Sequence, residues 1–202
     1  MHGFIFSEIQ DYVSTKLGAE TWKALLREAG LANRQYEKFI EYPDEEAVKI
    51  VMTASEMTSQ PATAILEDFG RFLGPHLLKV YRPLINPSWK TLDFLEHTEE
   101  TIHRVVRSRN RMAKPPALAW TRTGPEEVVL KYSSPRRMQH LAIGIAKGVA
   151  DEYGDSLDVA MDDHGDAGCT IRFRLASATA GEADAAAEGA GTPAERTTPT
   201  TN

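Results

Sequence analysis

The chain has 202 residues, of which 42% are apolar and 26% charged, with a formal net charge of −6. That is an ordinary globular balance and enough for one well-packed domain, while the acidity argues against a nucleic-acid partner held by a general electrostatic footprint. A single cysteine, Cys169, excludes an internal disulfide and any multi-cysteine zinc or iron–sulfur site within one chain.

Near the N-terminus, Glu8 and Asp11 interrupt the first apolar stretch and there is no cationic leader. A signal peptide or membrane span is not expected there, and the protein is expected to be cytoplasmic. Ile5, Ile9, Val13 and Leu17 recur at four-residue spacing, which predicts an amphipathic helix from Phe4 to Leu17 stopped by Gly18. Trp22, Leu25, Leu26 and Ala29 predict a second helix before Gly30. Ala47, Ile50, Val51, Ala54 and Met57 predict a third, after Pro43 and the acidic first turn Asp44-Glu45-Glu46. A fourth helical segment is expected from Ala62 to about Leu73, ended by Gly74-Pro75, with a short apolar piece from Leu77 to Tyr81 before Pro83 and Pro87.

The stretch Leu92–Arg109 reads as a helix with Leu95, Ile102 and Val106 on one stripe, Thr91 as its cap and His103 beside the stripe. His97 lies about 120° around that helix from His103, so the two histidines should not face one cavity. The run Arg104, Arg107, Arg109, Arg111 reads as a solvated helix end suited to the macrodipole. After Pro115-Pro116 the period changes to two. Leu118, Trp120 and Arg122, then Val128, Leu130 and Tyr132, predict two strands joined by Gly124-Pro125-Glu126. Met138, Leu141, Ile145 and Val149 form the stripe of an inserted helix, with Gly144 and Gly148 allowing close backbone approach. Leu157, Val159 and Met161 alternate, Asp162-Asp163-His164-Gly165 turns, and the strand carrying Cys169, Ile171, Phe173 and Leu175 is expected to close the sheet with its thiol buried. From Ser177 onward the chain is Ala, Gly, Glu, Thr and Pro without aromatic or branched aliphatic residues, so residues 177–202 are expected to be a disordered tail.

Tyr132, Ser134 and Arg136 stand two apart on a predicted strand, Glu127–Ser134, and its exit. That spacing puts a phenol, a hydroxyl and a guanidinium on one face. A planar Arg fork backed by hydroxyls suits carboxylates, and haem carries two. His103, thirteen residues before Pro116, is a possible iron ligand. Each has a plain alternative: a satisfied core histidine, a polar strand end, a proline that ends a helix.

With these residues in order, the chain resembles the H-NOX family, the haem-based nitric oxide and oxygen sensor domains related to the sensor part of soluble guanylate cyclase. The resemblance rests on Met1-His2-Gly3, on Trp22-Lys-Ala-Leu25-Leu26 with Ala29-Gly30-Leu31, on His103 at its spacing to Pro115-Pro116, and on Tyr132-x-Ser134-x-Arg136. It covers residues 1–176. It implies an α+β fold, with an N-terminal helical subdomain, then an antiparallel sheet with an inserted helix, and haem b (iron protoporphyrin IX) held between them. It also implies His103 as the proximal ligand, Tyr132, Ser134 and Arg136 as a propionate clamp, and Pro116 pressing on the haem plane. The distal wall is expected from Ile5, Ile9, Leu73 and Leu141.

Oxygen-binding members of the family carry a tyrosine at the position of Leu141. Its absence implies a sensor that binds nitric oxide, and also carbon monoxide, in preference to oxygen, because oxygen needs a hydrogen bond to persist. Tyr12 is a rival donor; His140 is expected to point to solvent. Nitric oxide opposite His103 would weaken the iron–histidine bond and free its helix. The expected output is a separate signalling protein such as a histidine kinase or a cyclic-di-GMP enzyme, with no catalysis, nucleic acid or membrane involved. The rival readings are a peroxidase-like haem enzyme, which would want a distal acid–base residue, and an interaction module of the same fold without haem.

Overall fold

The computed structural model describes residues 1–109 and 115–176. Arg111 and the expected tail, residues 177–202, lie outside the described residues. Four helices come first: α1 (Gly3–Leu17), α2 (Ala19–Glu28), α3 (Asp44–Thr58) and α4 (Ala62–Tyr81). Then follow α5 (Thr91–Thr98), a π-helical turn (Glu99–His103) and α6 (Arg104–Arg109). The rest is β1 (Ala117–Gly124), β2 (Glu127–Ser133), α7 (Gln139–Tyr153), β3 (Leu157–Asp163) and β4 (Cys169–Leu175). The fold is mixed α+β, as expected, with every strand pair antiparallel. Among the described residues no helix is long and apolar enough to cross a membrane.

The strand order is β1-β2-β4-β3. β4 therefore does not close the sheet; it sits inside it, with Val128 opposite Phe173 on one side and Val159 opposite Phe173 on the other. Cys169, Ile171 and Phe173 are buried, as an interior strand with one face on the core requires. Burial and the nearby Asp163 carboxylate raise the Cys169 thiol, which is an inert core group.

Two apolar clusters make up the interior. One packs α1, α2, α3 and α4 around Phe6, Trp22, Ile50 and Phe69; the other packs α5 and α7 on the sheet around Val128, Leu130, Val149 and Phe173. Ile145 packs against both. α4 and α7 are the rods that join them. A Cβ built on Gly144 would stand 2.0 Å from the Glu67 carbonyl oxygen, and one on Gly148 2.2 Å from that of Arg71. Only glycine lets the two backbones come this close.

That contact corrects the reading of α4, which was expected to end at Gly74-Pro75. The helix runs on through Pro75 to Tyr81. Proline removes one backbone donor and costs helix stability, but Gly74 packs on Val149 and Gly148 of α7, and tertiary packing of this kind overrides local propensity. Thr91 is not a cap either. Lys90 is the N-cap, its backbone N–H donating to Asp93 (3.0 Å), while the fully buried Thr91 donates to Asp155 (2.5 Å).

Candidate functional site

The Tyr132, Ser134 and Arg136 side chains come together, but not by strand alternation. β2 ends at Ser133, so Ser134 and Arg136 belong to the turn that follows. In that turn the Arg136 N–H donates to Ser134 Oγ (3.3 Å) and the Arg137 N–H to the Ser134 carbonyl (3.1 Å). Arg137 then takes a left-handed φ of 50°, which turns the chain into α7. Tyr132 is buried, which raises its phenol. The Ser134 side chain, the Met138 backbone and the Arg136 charge all act in the opposite direction.

Arg136 points inward. Its side chain is 15% exposed and its Nε lies 2.7 Å from Asp44 Oδ2, at the first position of α3. Asp44 also stands 2.6 Å from the amino group of Met1. Burial would raise the Asp44 carboxyl, but the Arg136 guanidinium and that ammonium outweigh it and hold the group below the usual carboxylate range. The turn is thereby tied to the N-terminal helices. Sequence reading assigned Asp44 only to an acidic first turn, because nothing local announces a partner so far along the chain.

His103 closes the π-helical turn, in which the Arg104 N–H reaches back five residues to the Glu99 carbonyl. Such turns break the regular four-residue spacing, so the stretch Leu92–Arg109 is not one regular helix. The His103 side chain is 15% exposed, with Nδ1 2.9 Å from Glu99 Oε2. Burial lowers the imidazole against the pull of the Glu99 carboxylate and a backbone hydrogen bond with Pro116. His97 differs: its Nδ1 meets the Asp93 carbonyl (2.8 Å) and its ring stacks on Trp89, 4.5 Å between centroids.

Ile9 and Leu73 are buried in the helical cluster, and Ile5 and Leu141 pack on it, so all four expected wall residues share one apolar body. Tyr12 is taken up elsewhere. Its hydroxyl donates to Asp68 (2.5 Å), and burial together with that carboxylate raises the phenol. His140 does not point into solvent: it is 24% exposed and stands 4.0 Å from Glu67 on α4.

Among the described residues no group of three or more His, Cys, Asp or Glu could hold a bare metal ion. Iron at His103 would therefore need its remaining ligands from a macrocycle. The donor set suits that group: a largely enclosed imidazole, and a largely enclosed guanidinium beside two hydroxyls of the kind that hold carboxylates.

The family model for Haem-NO-binding proteins matches residues 2–161, and the chain belongs to this family of haem-binding gas-sensor domains. Solved structures show the same fold. An H-NOX protein from S. oneidensis in the Fe(II)NO state has a TM-score of 0.80 and 23% identity, covering 88% of this chain and 100% of that one. A mutant H-NOX from K. algicida with unliganded Fe(II) has a TM-score of 0.80 at 20% identity, covering 89% and 98%. An S. oneidensis H-NOX domain in the Fe(II)CO state has a TM-score of 0.77 at 23% identity, covering 87% and 99%. A search of the curated proteins finds no match.

Proposed function

We propose that residues 1–176 hold haem b and sense nitric oxide in preference to oxygen. The observation that carries this reading is that one domain holds an interior imidazole, a guanidinium–hydroxyl turn and an apolar helical cluster. His103 would ligate the iron, Arg136 with Tyr132 and Ser134 would hold the propionates, and Pro116, which hydrogen-bonds His103, would bear on the macrocycle. Ferrous haem, when bound, would supply an iron that takes a diatomic gas.

Selectivity then falls to the wall. Ile5, Ile9, Leu73 and Leu141 offer only C–H groups, and the Tyr12 hydroxyl is engaged by Asp68. Oxygen is retained where a donor meets it, whereas nitric oxide and carbon monoxide need little help. None of these four side chains is the distal acid or base that a peroxidase-like enzyme would want, which supports a sensor. Solved H-NOX relatives hold nitric oxide or carbon monoxide on Fe(II), in line with this reading. The signal would pass to a separate effector, such as a histidine kinase or a cyclic-di-GMP enzyme.

An absorption spectrum of the purified, reduced protein tests the proposal. The expected result is a Soret band that shifts with nitric oxide and stays put in air. A stable oxygen spectrum from the unmutated protein would overturn the selectivity, and no band after reconstitution with haem would overturn the sensor reading itself.

A further inference from the structure

Glu99, His103 and Arg107 form a line along one helix face, four residues apart. The Glu99 carboxylate is divided between them. Its Oε2 faces His103 Nδ1 at 2.9 Å and its Oε1 accepts from the Arg107 guanidinium at 2.5 Å. Each oxygen has one partner, and the glutamate is 27% exposed. The π-helical turn starts at Glu99 and ends at His103, so the backbone irregularity lies between the two interacting side chains. His97 provides the contrast on the preceding turn, since the same nitrogen there meets only a neutral carbonyl.

A carboxylate at Nδ1 draws the ring proton to that nitrogen in competition with the Pro116 carbonyl, and with the proton there the lone pair lies on Nε2. It also orients the ring and makes the imidazole a stronger donor toward a metal. We propose that Glu99 is the positioning residue for His103, setting its tautomer and its strength as an iron ligand, with Arg107 drawing off part of the carboxylate's charge. The inference rests on His103 being the ligand. Its consequence is that Glu99 opposes the loss of His103 from iron, so the Glu99–Arg107 ion pair tunes how readily a gas frees the His103 helix.

Resonance Raman spectroscopy of the full, haem-loaded ferrous chain tests it through the iron–histidine stretch. His103→Gly should show the band only when imidazole is supplied; if it shows the band when loaded without imidazole, the ligand assignment is wrong and the question of Glu99 does not arise. Given that result, Glu99→Gln keeps the shape and removes the charge. It should move the band to lower frequency and speed haem transfer to an apo-globin scavenger about 10- to 100-fold. Arg107→Met leaves Glu99 to His103 alone and should move the band up. A parent-frequency band in Glu99→Gln, even with a lowered melting temperature, means a merely structural role and overturns the proposal. If Glu99→Gln fails to load haem, Arg107→Met decides, and an unmoved band there overturns it as well.

Discussion

Adding one methyl group at Gly144 should separate the two helices that join the halves of this molecule. The Cβ introduced by Gly144→Ala would begin 2.0 Å from the Glu67 carbonyl oxygen and 2.9 Å from the Gly70 Cα, and both are backbone atoms that no rotamer change can move. Bringing the shorter contact to the 3.4 Å at which ordinary contact begins requires α4 and α7 to part by about 1.4 Å. Overpacking of this kind costs about 1–3 kcal/mol, and a rigid backbone contact belongs at the upper end. Alanine's better helix propensity returns about 1 kcal/mol. The net loss of about 2 kcal/mol corresponds, for a chain of this size, to a melting temperature lower by about 4–8 °C. Thermal unfolding followed by far-ultraviolet circular dichroism reads this directly. Gly124→Ala is the control, because a Cβ there meets nothing within 4 Å; it should change stability by less than about 0.5 kcal/mol. A Gly144→Ala protein melting at or above the parent temperature would refute the argument from close approach.

Three further outcomes follow from the site. His103→Gly should abolish stable haem binding unless imidazole is supplied, while His97→Ala, a ring stacked on Trp89, should leave the spectrum unchanged; the reverse pattern removes His103 as ligand. Arg136→Ala should release haem to a scavenger roughly ten- to a hundred-fold faster, since a charge-assisted bond is worth about 1.5–3 kcal/mol, and an unchanged rate takes Arg136 out of the clamp. For Asp44 the folded value lies below the ordinary carboxylate value of about 3.9. The unfolded state therefore takes up the proton at the higher pH, so the stabilisation is present above about pH 4 and is lost as pH falls through the folded value. Urea unfolding of Asp44→Asn should show a shallower loss of stability below about pH 4 than the parent; identical slopes would mean the Arg136–Asp44 pair does not contribute.

Much was legible in the residues themselves. The four-residue apolar spacing located α1, α2 and α3, the change to a period of two after Pro116 located β1 and β2, and Gly144 with Gly148 announced a close helix contact. Harder to read was anything in which local and distant forces compete. Pro75 is a stop signal in any window of sequence, yet α4 continues through it because α7 packs closely on Gly70 and Gly74 just before the proline. The Glu99-x-x-x-His103-x-x-x-Arg107 spacing was present in the sequence, but a run of arginines read as a solvated helix end hid the one that braces Glu99.

By itself the sequence determined the periodicities, the turn chemistry and the set of donors, because those depend on neighbours along the chain: an imidazole, two hydroxyls and a guanidinium at characteristic spacing. Tertiary structure decided their environment. The partner of Arg136 is Asp44, the Tyr12 hydroxyl is spent on Asp68, and β4 lies inside the sheet instead of at its edge. Such pairings join residues tens of positions apart, and where burial makes an unpartnered charge costly, as at Arg136, the fold has to supply the partner. A sequence shows which groups need a partner, and the packed fold selects which one each group meets.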